Sequence, residues 1–114
     1  MSGTIENAKI VATSLGREDH GIFTAYISFE YDEGGQSFGG YGLDAYKAPK
    51  DCRIGTAWGM EFIMRVLETV GAESWEKLIG KHVRVDHSHA SVSGIGHITK
   101  NKWFYPREDL KEFE

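Results

Sequence analysis

The chain has 114 residues, of which 13 are basic and 17 acidic, and its formal net charge is −4. This length suits one hydrophobic core, so we expect a single domain over residues 1–114. The negative charge gives no long-range attraction to a phosphate polymer, which disfavours duplex nucleic acid but not a small phosphorylated ligand. No apolar run approaches the ~20 residues that span a bilayer, and Cys52 is the single cysteine. We therefore expect a cytoplasmic protein that does not contact membranes.

The first third of the sequence predicts antiparallel strands. "TIENAKIVATSLG" and "IFTAYISFEY" both alternate, and in the second segment Ala25, Ile27 and Phe29 share the face expected to be the core. "REDHG" is predicted as a loop and "DEGG" as a turn. "QSFGGYGLDAY" is then the returning strand of a hairpin, with a bulge or a close backbone approach at Gly39 and Gly40.

The middle of the sequence predicts the main helix. A polar connector, "KAPKDCRIG", leads to Thr56, which is expected to cap a helix over "AWGMEFIMRVLETV" that ends at Gly71. The apolar positions at helical spacing, taken as the buried stripe, are Met60, Ile63, Met64, Leu67 and Val70. A short helical turn over "WEKLI" follows.

The last third returns to strands. "KHVRVDHSH" and "GIGHITK" predict a hairpin, "KWFYP" extends its second strand or its exit, and Pro106 opens a short final helix over "REDLKEF". The predicted fold class is α+β: an antiparallel sheet with one main helix, a short second helix and a C-terminal helical turn.

Aromatic residues beside glycines suggest a surface for a planar ligand. In "SFGGYGLDAY", Phe38, Tyr41 and Tyr46 can stack on a nucleobase while glycine N–H groups approach a phosphate. The alternative is that these rings fill the core and the glycines serve sheet twist. The three rings of "WFY" cannot all point inward from a strand, so we include Trp103 as a contact for a ligand or a second subunit.

Arginines and histidines supply the remaining candidates. Arg53 and Arg107 border the predicted elements and can clamp phosphates, while Arg84 shares a strand face with His82. His87 is also taken as a ligand contact. A metal-dependent enzyme remains a further alternative, and its donor set would be His82, Asp86, His87 and His89. There is no CxxC pair, no HExxH and no nucleophile elbow, so we expect no catalytic residues, metal or cofactor.

Over nearly its whole length the chain resembles a family of phage proteins. The ordered segments "IENAKI", "LGREDHGIFT", "SFGGYGLD", "RIGTAWGMEFIMRVLETVGAESWEKLIGKHVRV" and "KNKWFYP" resemble the Thoeris anti-defence proteins of the first-described type. The resemblance implies a non-enzymatic sponge that binds a cyclic nucleotide-derived immune signal in the cytosol of the infected bacterium and does not cleave it. The ligand would be a cyclic ADP-ribose isomer or a cyclic oligonucleotide.

The resemblance also implies an assembly and a set of contacts. Family members form dimers that can assemble into hexamers, with pockets at the subunit boundaries. Carried over to this sequence, His82 would stack on a base, while Arg53, Arg84 and Arg107 would contact phosphates. His82 stands where the family has an aromatic residue, and "HSHASVSG" contains no asparagine, so the ligand's identity stays open. The alternative function is a phage inhibitor that binds a host defence protein and occludes it through exposed aromatic residues.

Overall fold

The fold is a curled antiparallel sheet with one long helix packed against it. The structure is a computed structural model that describes residues 3–18, 21–32 and 34–114. The predicted "REDHG" loop and "DEGG" turn include Asp19, His20 and Glu33, which lie outside the described residues. The strands within the described ranges are β1 (Thr4–Arg17), β2 (Phe23–Tyr31), β3 (Gly34–Gly39), β4 (Asp44–Lys47), β5 (Cys52–Gly55), β6 (His82–His87), β7 (Val92–His97) and β8 (Trp103–Phe104).

Six of these strands form the main sheet in the order β3-β2-β1-β6-β7-β8, and every neighbouring pair is antiparallel. The long strand β1 pairs with β6 through residues 4–9 and with β2 through residues 9–17, and a bulge lies between Ile10 and Ala12. The sheet curls enough to bring β3 close to β7, although the two strands are not hydrogen-bonded neighbours. The Gln36 side chain on β3 reaches the turn between β6 and β7, where it donates to the Ser88 carbonyl at 2.9 Å. The predicted α+β fold class is confirmed.

The segment after β3 differs from the prediction. "QSFGGYGLDAY" is not one continuous strand, because β3 ends at Gly39 and the chain then turns toward a separate two-stranded sheet of β4 and β5. The predicted polar connector therefore contains strand β5. Leu43 anchors the crossing, since its N–H donates to the Phe23 carbonyl at 2.8 Å and its carbonyl accepts from the Thr56 hydroxyl at 3.1 Å.

The main helix has the predicted ends. Helix α1 covers Ala57–Val70, Thr56 Oγ1 accepts a hydrogen bond from the Gly59 N–H, and Gly71 ends the helix with φ of +86°. A second helix, α2, covers Pro106–Asp109 and begins at the predicted proline. Short 3-10 helices in the described part of the chain include Ala48–Lys50, Trp75–Leu78 and Lys111–Phe113, and the last of these forms the C-terminal helical turn.

The predicted buried stripe of α1 is wrong at Met60 and Met64, whereas Val70 is buried and Ile63 and Leu67 are partly buried against the core. The helix buries Phe62, Val66 and Val70, while Met60 and Met64 are 60% and 46% exposed. Both sets have helical spacing, so periodicity alone does not choose between them. The bulky Phe62 fits between the sheet and the other aromatic rings, with ring centroids 5.8 Å from both Phe38 and Phe104.

One hydrophobic cluster fills the space between the inner sheet face and α1. It contains Ile10, Ile27, Val83, Val85 and Ile95, which come from four strands of the main sheet and are each no more than 1% exposed. "KWFYP" contributes a separate strand, β8, paired antiparallel with β7, where the sequence predicted an extension of the preceding strand or its exit. No helix in the described part of the chain is both long and apolar enough to cross a membrane.

Candidate functional site

The glycine-rich turn after β3 lies against the backbone of β2. Gly39 and Gly40 have φ of +116° and +79°, and a Cβ on Gly39 would collide with the Ala25 carbonyl oxygen. Gly40 donates to that same carbonyl at 2.8 Å, and its bare Cα faces the Tyr26 ring. These contacts explain the paired glycines, because a side chain at either position would be strained or would clash.

Tyr41 projects from this turn into a cluster of aromatic rings. Its ring meets Trp58 and Phe62 edge-on, with centroid distances of 5.4 and 5.5 Å. Trp58 in turn stacks on Phe62 at 5.9 Å with an interplanar angle of 9°. The guanidinium carbon of Arg107, at the start of α2, lies 5.2 Å from the centroid of the Tyr41 ring. Two aromatic rings and one guanidinium plane therefore meet beside exposed glycine backbone.

These groups surround a cavity of about 610 Å³, which we call the Tyr41 groove and define by residues 39–42, Trp58 and Arg107. Its wall also includes Asp44, Thr56, Phe113 and Glu114. A second cavity of about 400 Å³ continues on the other side of Tyr41 and Arg107, where Ser37, Ser91, Ser93, Tyr105 and Glu108 line it. The groove volume is typical of sites for small molecules.

Arg107 carries the available positive charge of the groove. Among the described residues no carboxylate lies within ion-pair distance of its guanidinium. Burial raises the pKa of the Tyr41 hydroxyl, and the Arg107 charge opposes that rise. The N-terminal end of α1, at Thr56 and Trp58, adds partial positive charge to the same wall. An anionic group placed over Tyr41 would therefore meet a cation, although Glu114 at the rim would repel it.

Asp44 contributes little negative charge to the groove because Arg53 holds its carboxylate. Arg53 Nε donates to Oδ2 and an Arg53 terminal nitrogen donates to Oδ1, both at 2.9 Å, while the Phe23 N–H donates to Oδ1 at 3.2 Å. The hydrogen bonds from Arg53 hold the pKa of Asp44 below its ordinary value. Arg53, predicted as a phosphate clamp, is therefore already occupied by a carboxylate.

The sequence-predicted contacts do not converge on one site. Of the seven predicted ligand contacts, Arg107 lines the Tyr41 groove. Arg53 does not line the groove but binds Asp44, which does. Phe38 is 0% exposed and lies beneath Tyr41 in the core, so its predicted stacking on a ligand is corrected to a packing role. His82 is exposed on β6 opposite Lys9.

Arg84 and Trp103 belong to a different surface, the outer face of β6 to β8. Arg84 donates to the carbonyls of His97 and Lys100 at 2.7 and 2.6 Å, and its guanidinium carbon lies 4.9 Å from the Trp103 ring centroid. Trp103 covers Gly96, where an added Cβ would come within 2.7 Å of the indole. These contacts give both residues a structural role in holding the turn between β7 and β8.

The alternative metal set is divided between the two faces of β6. Asp86 is 8% exposed on the outer face and accepts from the Tyr105 hydroxyl at 2.7 Å, while burial and then this hydrogen bond raise the pKa of Tyr105 to about 12. His87 points the other way, with Nε2 2.8 Å from Glu6 Oε1 and its ring stacked on Tyr31. Among the described residues no three His, Cys, Asp or Glu side chains are grouped to hold a metal ion.

Trp58 is the groove residue that sequence reasoning missed. The available signal was the series Trp58, Phe62, Val66 and Val70, which recurs every four residues and starts next to the helix cap. Comparison with protein-family models, with curated proteins and with solved structures gives no match to this chain.

Proposed function

We propose that this chain binds a small anionic molecule with a planar ring in the Tyr41 groove and holds it without changing it. The observation that carries the proposal is the exposed Arg107 guanidinium over Tyr41, next to Trp58 and the glycine turn. Ring faces suit a nucleobase, and a guanidinium with free donors suits a phosphate.

The ligand class we propose is a cyclic nucleotide-derived immune signal, either a cyclic ADP-ribose isomer or a cyclic oligonucleotide. The resemblance to the Thoeris anti-defence family supports this choice, together with the pairing of ring surface and positive charge in the groove. In this role the chain is a phage immune-evasion protein in the host cytosol, and it acts by stoichiometric sequestration.

The expected binding strength supports an oligomer. One base stacked on an aromatic ring contributes ~1–3 kcal/mol, and one charge-assisted hydrogen bond from Arg107 adds ~1.5–3 kcal/mol. Their sum is below the ~8 kcal/mol that micromolar binding requires, before the cost of association is counted. We therefore propose that a second copy of the chain completes the site, as in a homodimer or hexamer.

The proposal is tested by capture and release. The purified protein is incubated with a cyclic ADP-ribose isomer or a cyclic dinucleotide, freed of unbound ligand and denatured by heat, and the supernatant is analysed by mass spectrometry. We expect intact ligand in a fixed ratio to protein. Recovery of a cleaved product, or of no ligand from any member of the panel, would reject sequestration.

The alternative function, occlusion of a host defence protein, is favoured by one observation. Met60 and Met64 lie one helical turn apart on α1, and both side chains are exposed. Together they form an apolar surface patch of the kind that binds a protein partner. In that case Met64→Glu would abolish inhibition of the host protein and leave nucleotide capture unchanged. If the chain is a sponge, Met64→Glu should leave both nucleotide capture and the anti-defence effect unchanged, since Met64 does not line the Tyr41 groove.

A further inference from the structure

A different cavity lies where the chain segment 43–44 passes the segment 55–56, on the side away from the Tyr41 groove. It has a volume of about 270 Å³ and opens between the start of β2, strand β5 and the first two turns of α1. Its apolar lining consists of Phe23, Leu43, Ile54, Met60 and Ile63. We call it the Ile63 cavity. It shares Asp44 and Thr56 with the Tyr41 groove but none of the groove's aromatic rings.

The shape of the cavity depends on a glycine inside the helix. Gly59 is buried against the Leu43 backbone, and a Cβ there would collide with the Leu43 carbonyl oxygen. A glycine at an interior helix position is unfavourable unless close packing requires it. The close approach places β4 and β5 beside α1 as a separate small sheet, and Ile54 and Met60 remain 40% and 60% exposed at the mouth.

The polar lining of the cavity carries an excess of positive charge. Among the described residues it contains two guanidinium groups, Arg17 and Arg53, and one carboxylate, Asp44. Asp44 is fully engaged by Arg53. Within residues 3–18, 21–32 and 34–114, Arg17 donates one side-chain hydrogen bond, to the Gly21 carbonyl at 3.1 Å, and its guanidinium has further N–H groups that can meet a ligand.

The size and lining together define a ligand class. If each non-hydrogen atom needs about the volume of one water molecule, ~30 Å³, the cavity of about 270 Å³ admits about nine such atoms. From these observations the geometry points to a second binding site, the Ile63 cavity, for a small monocarboxylate with an apolar body, whose carboxylate pairs with Arg17. A site of this kind goes beyond the proposed nucleotide binding, and neither requires the other.

Methionine methyl groups provide a direct readout of this site. Met60 lines the cavity, and Met64, one helical turn further on, does not. In protein labelled with ¹³C at the methionine methyl groups, benzoate, which matches this size, is titrated as the probe, and the uncharged benzamide is titrated as its matched control. We expect a saturable shift of the Met60 signal with a Kd of about 1 mM, because a probe of this size gains only a few tenths of a kcal/mol per atom.

The charge contact is tested with two arginine variants. Arg17→Gln is expected to weaken benzoate binding about tenfold or more and to leave benzamide binding unaffected. Arg65→Gln is the control: Arg65 lies on the same helix as Met60 but pairs with Glu61, so its replacement should leave the binding of both probes unchanged. The proposal is overturned if Met60 shows no saturable shift up to about 10 mM probe, if the acid and the amide bind equally, or if Arg17→Gln has no effect.

Discussion

Replacing Arg107 with alanine is expected to weaken ligand binding strongly and to affect folding little. The guanidinium is exposed and interacts with the Tyr41 ring from 5.2 Å, and such an exposed contact contributes ~0.5–1 kcal/mol. The melting temperature should therefore fall by about 4 °C or less. A phosphate that loses a charge-assisted hydrogen bond loses ~1.5–3 kcal/mol, so the Kd should rise about 10- to 150-fold.

The assay is isothermal titration calorimetry with the nucleotide found by the capture experiment, with a melting curve for each variant. Arg65→Ala is the matched control, because it removes the same charge from a partly exposed pair with Glu61, 3.2 Å apart on α1, outside the groove. We expect its Kd to stay within about twofold of the wild-type value. An unchanged Kd in Arg107→Ala would refute the anion contact, and an equal loss in both variants would attribute the effect to net charge.

Three further changes test the packing around the two cavities. Phe62→Ala should reduce the free energy of unfolding by ~3–5 kcal/mol in a denaturant titration, because its ring packs among four others. A loss below ~1 kcal/mol would contradict this packing. Gly59→Ala should lower the melting temperature of the protein although alanine favours helices, because its Cβ would collide with the Leu43 carbonyl oxygen. Gly16→Ala, where a Cβ meets open space, should not lower it. Similar melting temperatures of the two variants would show that the contact at Gly59 is not tight. The folded-state pKa of Asp44 is lowered, so its contribution to stability is present above its unfolded pKa and lost as the pH falls through the folded value. The stability gap between wild type and Asp44→Asn should therefore narrow from about pH 6 to about pH 2, and a constant gap would contradict the ion pair with Arg53.

Local signals in the sequence were sufficient to predict most of the secondary structure. Strict alternation defined β2, the Thr56 hydroxyl and Gly71 defined the ends of α1, and Pro106 defined the start of α2. Each of these signals acts over a few residues, so it does not depend on the rest of the fold. The α+β class followed from the order of these elements.

The buried face of α1 was not predictable in the same way. The helix carries two apolar series, one through Met60 and Met64 and one through Phe62 and Val66, and the sheet chooses the second. The small sheet of β4 and β5 was missed for a similar reason. Its position depends on the contact between Leu43 and Gly59, which are distant in sequence.

The candidate site shows the same limit. Arg107 was identified because it borders a predicted element and can clamp a phosphate, and Tyr41 was recognised as ring surface next to glycines. Alternation with the buried Val83 and Val85 places Arg84 on the outer face of β6, but the sequence does not reveal that its guanidinium binds backbone carbonyls there. Trp58 joined the groove only because α1 packs with Phe62 inward.

A crystal structure of the protein grown with a cyclic ADP-ribose isomer tests most directly whether the Tyr41 groove holds the ligand. We expect an intact ligand with a ring against Trp58 or Tyr41 and a phosphate oxygen about 2.8 Å from the Arg107 guanidinium. A ligand bound on another surface with Arg107 still in solvent, or an empty groove at saturating ligand, would contradict the proposed site.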